Sequence, residues 1–168
     1  MSEIAMRAPT SDDWPEILAL AELAVSEVPN APSQVEWLNN RKSFSTSDGI
    51  QQHFVATSGE RIVGYACIEY RNKTTDGRKP IDGVYRLFVV VAPPARRTLG
   101  TQLLAKLREC MIKLDARKAW MLEYEADVHF ISYLEEMGFV KVVEFDLEGT
   151  PVVEFTIDAP FQLLAPQT

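Results

Sequence analysis

The stretch Val89–Leu104, VVVAPPARRTLGTQLL, decides how this chain is read. Three valines, Val89, Val90 and Val91, stop short of a proline pair, Pro93 and Pro94. Arg96, Arg97, Thr98, Leu99, Gly100 and Thr101 follow. Leu99, Leu103, Leu107, Met111 and Leu114 then recur at helical spacing. A strand buried on both faces runs continuously apolar, and the valines read as the end of one. So a buried strand passes through a basic turn straight into a helix. Any helix start carries unpaired backbone N–H groups and the positive end of the dipole, which together make an anion site. Gly100 lets the backbone approach a ligand, and two arginines can make bidentate contacts to phosphate oxygens. The turn is either a phosphate or pyrophosphate cradle or a solvated basic connection. It is not a P-loop, which ends in Gly-Lys-Ser/Thr, and one glycine does not make a dinucleotide fingerprint.

On the N-terminal side, Ile4–Ala8 reads as a short strand. Ser11, Asp12 and Asp13 ahead of Trp14 and Pro15 form a helix-start signal: a capping side chain, acids at the positive end and an early proline. A broad apolar face follows from Ile17 to Val25, and VPNAPS breaks that helix. A second helix is expected over about Gln34–Phe44. His53–Thr57 and Arg61–Tyr70 read as a hairpin with Ser58-Gly59 as its turn, and Val84–Val91 as the next strand. On the C-terminal side, Ala116–Glu125 holds a strand, and Asp127 is placed to cap a helix that Gly138 ends. Phe139–Leu147 and Val152–Ile157 close the pattern as a strand pair around Glu148-Gly149. The order β, α, α, three strands, α, β, α, β, β predicts a mixed α/β layout with helices packed on a central sheet.

The 168 residues suit one domain spanning 1–168, and a 46% apolar content gives it a core. The net charge of −7, from 17 basic and 24 acidic residues, speaks against nucleic acid as a partner and permits a cationic substrate. MSEIAMRAPTSDDW lacks the features of a signal peptide, and no apolar run reaches membrane-spanning length, so a cytoplasmic protein is expected. Cys67 on a strand and Cys110 on a helix are expected as reduced core residues. His53 and His129 form no metal-ligand spacing with each other or with the cysteines, so no metal is expected.

Over nearly its whole length, Ile4 to about Ile157, this order of elements resembles the GNAT (Gcn5-related N-acetyltransferase) superfamily. The most specific likeness is to the family's acetyl-CoA motif, Gln/Arg-x-x-Gly-x-Gly/Ala, onto which Ala95-Arg96-Arg97-Thr98-Leu99-Gly100 falls. Ala95 stands where Gln or Arg is usual, and Thr98 replaces the first glycine. A second likeness is to a late helix ending Phe-Tyr-Glu-Lys-x-Gly-Phe, here Tyr133-Leu134-Glu135-Glu136-Met137-Gly138-Phe139. The resemblance implies a GNAT-like, mostly antiparallel sheet of about six to seven strands with about four helices on its faces. It implies acetyl-CoA as acyl donor, with pyrophosphate at Arg96–Thr101. The pantetheine arm would lie along Val89–Val91, in a gap that the family opens between this strand and the next. It implies acetyl transfer to an amine of a small molecule or peptide, and a homodimer is common among such proteins.

The chemistry such a reaction needs is a base for the amine, a proton donor for the thiolate and a donor to the oxyanion. Glu123, in Met121-Leu122-Glu123-Tyr124, resembles the family's Leu-Glu-Val strand, where a glutamate can serve as base; Glu69 is a second candidate. Either is equally readable as a solvated strand carboxylate. The family's tyrosine position falls on Leu134, which donates no proton. Tyr133 is adjacent but turned about 100° away on a helix, and is read as either catalytic or packing. The alternative to an enzyme is a non-catalytic acyl-CoA-binding module, to which Thr98 and Leu134 both point. The acceptor would be shaped by VPNAPSQVEWLNNRKSF, with Trp37 and Phe44, and by NKTTDGRKP.

Overall fold

A computed structural model describes residues 3–26, 50–69, 83–92, 96–147 and 149–161. The expected helix at 34–44, both segments expected to shape the acceptor, and the tail from 162 lie outside the described residues. The elements are β1 (Ile4–Arg7), a 3-10 turn (Ser11–Asp13), α1 (Trp14–Ala24), β2 (Ile50–Ser58), β3 (Arg61–Glu69) and β4 (Val84–Val91). They continue with α2 (Arg96–Lys113), β5 (Lys118–Tyr124), α3 (Val128–Glu136), β6 (Val140–Leu147) and β7 (Thr150–Asp158).

The strands form one seven-stranded sheet in the order β1-β2-β3-β4-β5-β7-β6, antiparallel at every pairing except β4 with β5. β4 lies at the middle of the sheet, which explains its apolar end. One core lies between the sheet and helices α2 and α3. It is built on Phe54, Ala66, Ile68, Leu87, Val91, Met121 and Phe155 from the strands and Leu103, Leu107, Met111 and Leu134 from the helices. The other lies under α1, where Trp14, Ile17, Leu20 and Ala21 meet Val55, Tyr65, Cys67, Phe88 and Val90. Alternation along each strand sends neighbouring residues to opposite cores.

Local chemistry sets the ends of the elements. Helix α1 is entered through Asp13, whose carboxylate accepts the Thr10 N–H at 2.7 Å and two Arg7 N–H groups at 2.6 and 2.8 Å. The cap expected at Ser11 therefore falls to neighbours, because Ser11 already belongs to the 3-10 turn. The Arg7 guanidinium holds the Asp13 carboxyl well below the usual carboxylate range. The hairpin turn is Gly59-Glu60 rather than Ser58-Gly59, since Ser58 pairs with Arg61. A two-residue hairpin turn needs a left-handed first residue, and Gly59 supplies it at φ 62. Asp127 caps α3 by accepting the Phe130 N–H at 3.4 Å. Gly138, at φ 98, ends that helix as expected.

Cys67 and Cys110 form no disulfide; both are buried, in different cores, so the sheet separates them. His53 lies opposite Cys67 on β2, its ring set edge-on to Tyr65 at 6.4 Å, and burial lowers its pKa below the ordinary 6.5. Among the described residues no helix is long and apolar enough to cross a membrane.

Gly64 fixes how closely α2 lies on the sheet. A Cβ there would come 3.0 Å from Leu103 Cδ1 and 3.3 Å from Leu99 Cδ2, both on side chains locked in the core. Gly64→Ala is expected to lower stability by about 1–3 kcal/mol through overpacking, read from the urea midpoint; an unchanged midpoint would contradict this seating. His53 gives a pH effect. The unfolded chain takes up its proton near the ordinary value and the folded chain only at lower pH, so stability falls as pH drops below about 6.5. Melting temperature should fall from about pH 7.5 to about pH 5.5 and fall less steeply in His53→Gln; parallel curves would show that another group dominates.

Candidate functional site

The site begins with a ladder that stops. β4 and β5 pair in parallel through Val84–Lys118, Tyr85–Ala119 and Arg86–Trp120, and no register pair joins them beyond. Each strand continues against its other neighbour: Leu87–Val91 stay paired to β3, and Met121–Tyr124 to β7. Two central strands that share a sheet thus part on one side of a vertex at Arg86 and Trp120. Along Leu87–Val91 the backbone edge facing β5 has no strand ladder, and an added extended chain can pair there. The valine side chains are occupied elsewhere. Val91 is buried under α2 and Val90 under α1, while Val89 packs partly on the α2 core. Val90 and Val91 can therefore meet a ligand only through their backbone.

The helix start lies at the end of that open edge. α2 begins at Arg96, earlier than the turn read from the sequence, so Thr98, Leu99 and Gly100 are already helical. Its unpaired first-turn N–H groups belong to about Arg96–Leu99, whereas the N–H groups of Gly100 and Thr101 fall inside the helical ladder. Thr98 is exposed, and Leu99 is buried in the core beside Gly64. Gly100 has a packing role that its sequence context did not reveal. A Cβ there would lie 3.1 Å from Phe130 Cε2, so the missing side chain admits the ring of α3.

Tyr133 belongs to the same contact. Its hydroxyl donates to Thr101 Oγ1, and its ring lies 5.9 Å from that of Phe130. Leu134, at the family's tyrosine position, is fully buried in the core between α3 and the sheet. The hydroxyl next to it therefore reaches toward α2 rather than into the sheet.

The two carboxylates lie on opposite faces. Glu123 is half-buried on β5 past the vertex, on the face of Ala119 and Met121, and its Oε1 accepts the Tyr124 N–H at 3.1 Å. Glu69 ends β3 on the α1 face and is 1% exposed. Across β3 and β4 it stands opposite Arg86, whose guanidinium carbon lies 5.2 Å from the centroid of the Trp120 ring. The structure thus brings Tyr133 together with Thr101 and puts Glu123 on their face of the sheet, but sets Glu69 on the other. Sequence reasoning passed over Arg86 and Trp120. The available signal was a charged residue inside an otherwise apolar central strand, VYRLFVVV.

Among the described residues no group of His, Cys, Asp and Glu side chains could hold a metal ion. A ligand with an anionic head and an extended arm fits the arrangement better: a helix start for the anion and an unladdered strand edge for the arm.

Comparisons with known proteins bear on the family and the fold. The model of the Acetyltransferase (GNAT) family matches residues 14–139. Solved structures of like fold include a ribosomal-protein-alanine N-acetyltransferase from Brucella melitensis, 22% identical, with TM-score 0.69 and coverage of 92% of this chain and 99% of that one. The yncA protein of Salmonella typhimurium, solved with its cofactor acetyl-CoA, is 15% identical, with TM-score 0.68 and coverage of 92% and 93%. A spermidine N-acetyltransferase chimera from Vibrio cholerae is 18% identical, with TM-score 0.70 and coverage of 96% and 98%. No curated protein sequence matches the chain. The family's acyl donor is acetyl-CoA. The family match runs from the first residue of α1 through both parted strands to the end of α3, and the chain belongs to the GNAT acetyltransferase family.

Proposed function

We propose that this protein is an acetyl-CoA-dependent N-acetyltransferase that moves an acetyl group onto a primary amine of a small molecule or peptide by direct attack. The observation that carries this reading is the parting of β4 from β5 beside the start of α2. Acetyl-CoA supplies an activated acyl carbon and a thiolate leaving group. The first-turn N–H groups of Arg96–Leu99 would hold its pyrophosphate, with Arg96 and Arg97 adding charge. The open edge of Leu87–Val91 would pair the two amides of the pantetheine arm and offer an N–H to the developing oxyanion. Gly100 and Thr101 serve this site from behind, one by admitting Phe130 and the other by accepting from Tyr133. A cytoplasmic setting, where acetyl-CoA is made and used, fits this chemistry.

The attacking amine must be neutral, so a carboxylate has to take its proton directly or through water. We assign that role to Glu123, which is half-buried and lies past the vertex; Glu69, more deeply buried, is the second choice. Tyr133 spends its hydroxyl on Thr101, and we assign it to the wall of the donor site. A second reading, an acyl-CoA-binding module without turnover, is favoured by Leu134, which buries a leucine where the family carries its proton-donating tyrosine.

The exposed edge strand β6 supports a homodimer within the same proposal. Val140, Val143, Phe145 and Leu147 are all exposed, and their partners on β7 put them on the face of Val152 and Tyr124. Among the described residues nothing pairs the outer edge of β6. An antiparallel pairing of β6 with its copy can set Val140 opposite Leu147 and Lys141 opposite Asp146, which matches apolar with apolar and cation with anion.

Acetyl-CoA at a hundredfold excess over its Kd is expected to add about 2.7 kcal/mol of stability and raise the melting temperature; no shift at millimolar concentration would count against the reading. Thiol release over amines, polyamines and peptide N-termini separates enzyme from module, because the module would show the shift and no release. In the enzyme, Glu123→Gln is expected to cost roughly 10²-fold in kcat and remove the acidic limb of the pH–rate profile. An unchanged profile would exclude Glu123 as base. Light scattering is expected to give a dimer for the wild type and a monomer for Phe145→Glu, and a monomeric wild type would remove the β6 interface.

A further inference from the structure

Each of the two parted strands carries a helix with it. α2 lies against β3 and β4, seated by Leu99 and Leu103 over Gly64, so it belongs to the β4 half of the sheet. α3 follows β5 after only Glu125, Ala126 and Asp127. In that link the Asp127 N–H donates to the Tyr124 carbonyl at 3.0 Å, and the Asp127 carboxylate accepts the Phe130 N–H at 3.4 Å. α3 therefore belongs to the β5 half. Where the helices meet, Phe130 lies on Gly100 and the Tyr133 hydroxyl donates to Thr101 Oγ1. We propose that this contact is a clasp across the opening and that Tyr133 is a positioning residue, whose hydrogen bond fixes the splay of β4 from β5 at which the acetyl donor faces Glu123. The proposal rests on the acetyltransferase reading above and adds what holds the two halves of that site at working distance.

Position is the first argument. Gly100 and Thr101 are adjacent and lie within two turns of the α2 start. Phe130 and Tyr133 are three residues apart, so they share one face of α3, and both rings are buried. The clasp thus joins the halves beside the helix start to which the donor's anion is assigned. The apolar core beneath both helices attracts without a preferred direction. A hydrogen bond sets distance and angle. Leu134 stands at the family's tyrosine position and is sunk in that core, and the hydroxyl one residue earlier is the one that reaches α2.

The division of labour is the second argument. The β4 half carries the edge of Leu87–Val91 and the start of α2, the two parts assigned to the donor. The β5 half carries Glu123, assigned to the proton of the amine. Past the rung Arg86–Trp120 no register pair of the two strands holds one half to the other. Glu123 lies three residues beyond that rung. That is roughly 10 Å at about 3.3 Å per residue, so a change of about 5° in splay moves it by about 0.9 Å. A misplacement of about 1 Å can cost on the order of 10²-fold in rate. Donor binding is assigned to the β4 half, so a loosened clasp acts on the rate and leaves donor affinity in place.

The test is Tyr133→Phe, which keeps the ring and removes the hydroxyl. It is expected to lower kcat roughly tenfold while the Kd of CoA, by calorimetry, stays within about twofold. Thr101→Val should match it, and the two changes together should cost no more than one alone. Thr101→Ser, which keeps an acceptor oxygen, should recover most of the rate lost in Thr101→Val. In a Glu123→Gln background, Tyr133→Phe should cost little more, because the group it positions is gone. If Tyr133→Phe does not fold, Thr101→Val carries the same readings. Spin labels at Gln102→Cys on α2 and Glu135→Cys on α3, both exposed, read the splay without turnover, and the native cysteines are buried. Their distance distribution should widen when Tyr133→Phe is added. An unchanged distribution, additive losses for Tyr133→Phe and Thr101→Val, or a full further loss in the Glu123→Gln background would overturn the proposal. A wild type with neither thiol release nor an acetyl-CoA melting shift would mean instead that the acetyltransferase reading had failed, and the distance measurement would still decide the clasp.

Discussion

The structure turns on where the backbone ladder between β4 and β5 ends. The two strands hold one another only from Val84 to Arg86 and from Lys118 to Trp120. Each is then kept straight by its outer neighbour, β3 or β7, and the sheet stays continuous although its middle has opened. A parted pair in the centre of a sheet leaves two strand edges side by side with no ladder between them. We assign the extended arm of the donor to that gap, where it would pair as an added strand does.

The remaining parts follow from setting the start of α2 at the end of that opening. The start of α2 has to lie at the end of β4, and Gly64 allows this by letting Leu99 and Leu103 settle onto β3. Gly100 then lets α3 press against α2 through Phe130, and the Tyr133–Thr101 hydrogen bond closes that contact. Two glycines thus set the seat of one helix from both sides. On the α1 face the vertex carries Glu69, Arg86 and Trp120.

Much of the fold was legible because its signals are local. The capping pattern at Asp127 and Gly138, the apolar run ending at Val91 and the helical spacing from Leu99 all reappear in the structure. Small errors arose where several residues compete for one geometric task. Thr10 and Asp13 do the capping expected of Ser11, and Gly59 opens the hairpin turn instead of closing it. The site was less legible, because its geometry depends on pairing between strands far apart in sequence. Arg86 and Trp120 meet only through register, and nothing near Gly100 indicates that its neighbour is Phe130. The alternation that sends Glu69 to one core and Glu123 to the other is readable only once each strand has a known partner on a known face.

Amide hydrogen exchange along β4, with and without acetyl-CoA, tests the central claim most directly. Bound acetyl-CoA should slow exchange at those amides of Leu87–Val91 that face β5, and at the first turn of α2, while the rung at Arg86 and Trp120 changes little. Slowed exchange elsewhere with β4 unaffected, or no change at any of these amides under saturating acetyl-CoA, would contradict the account.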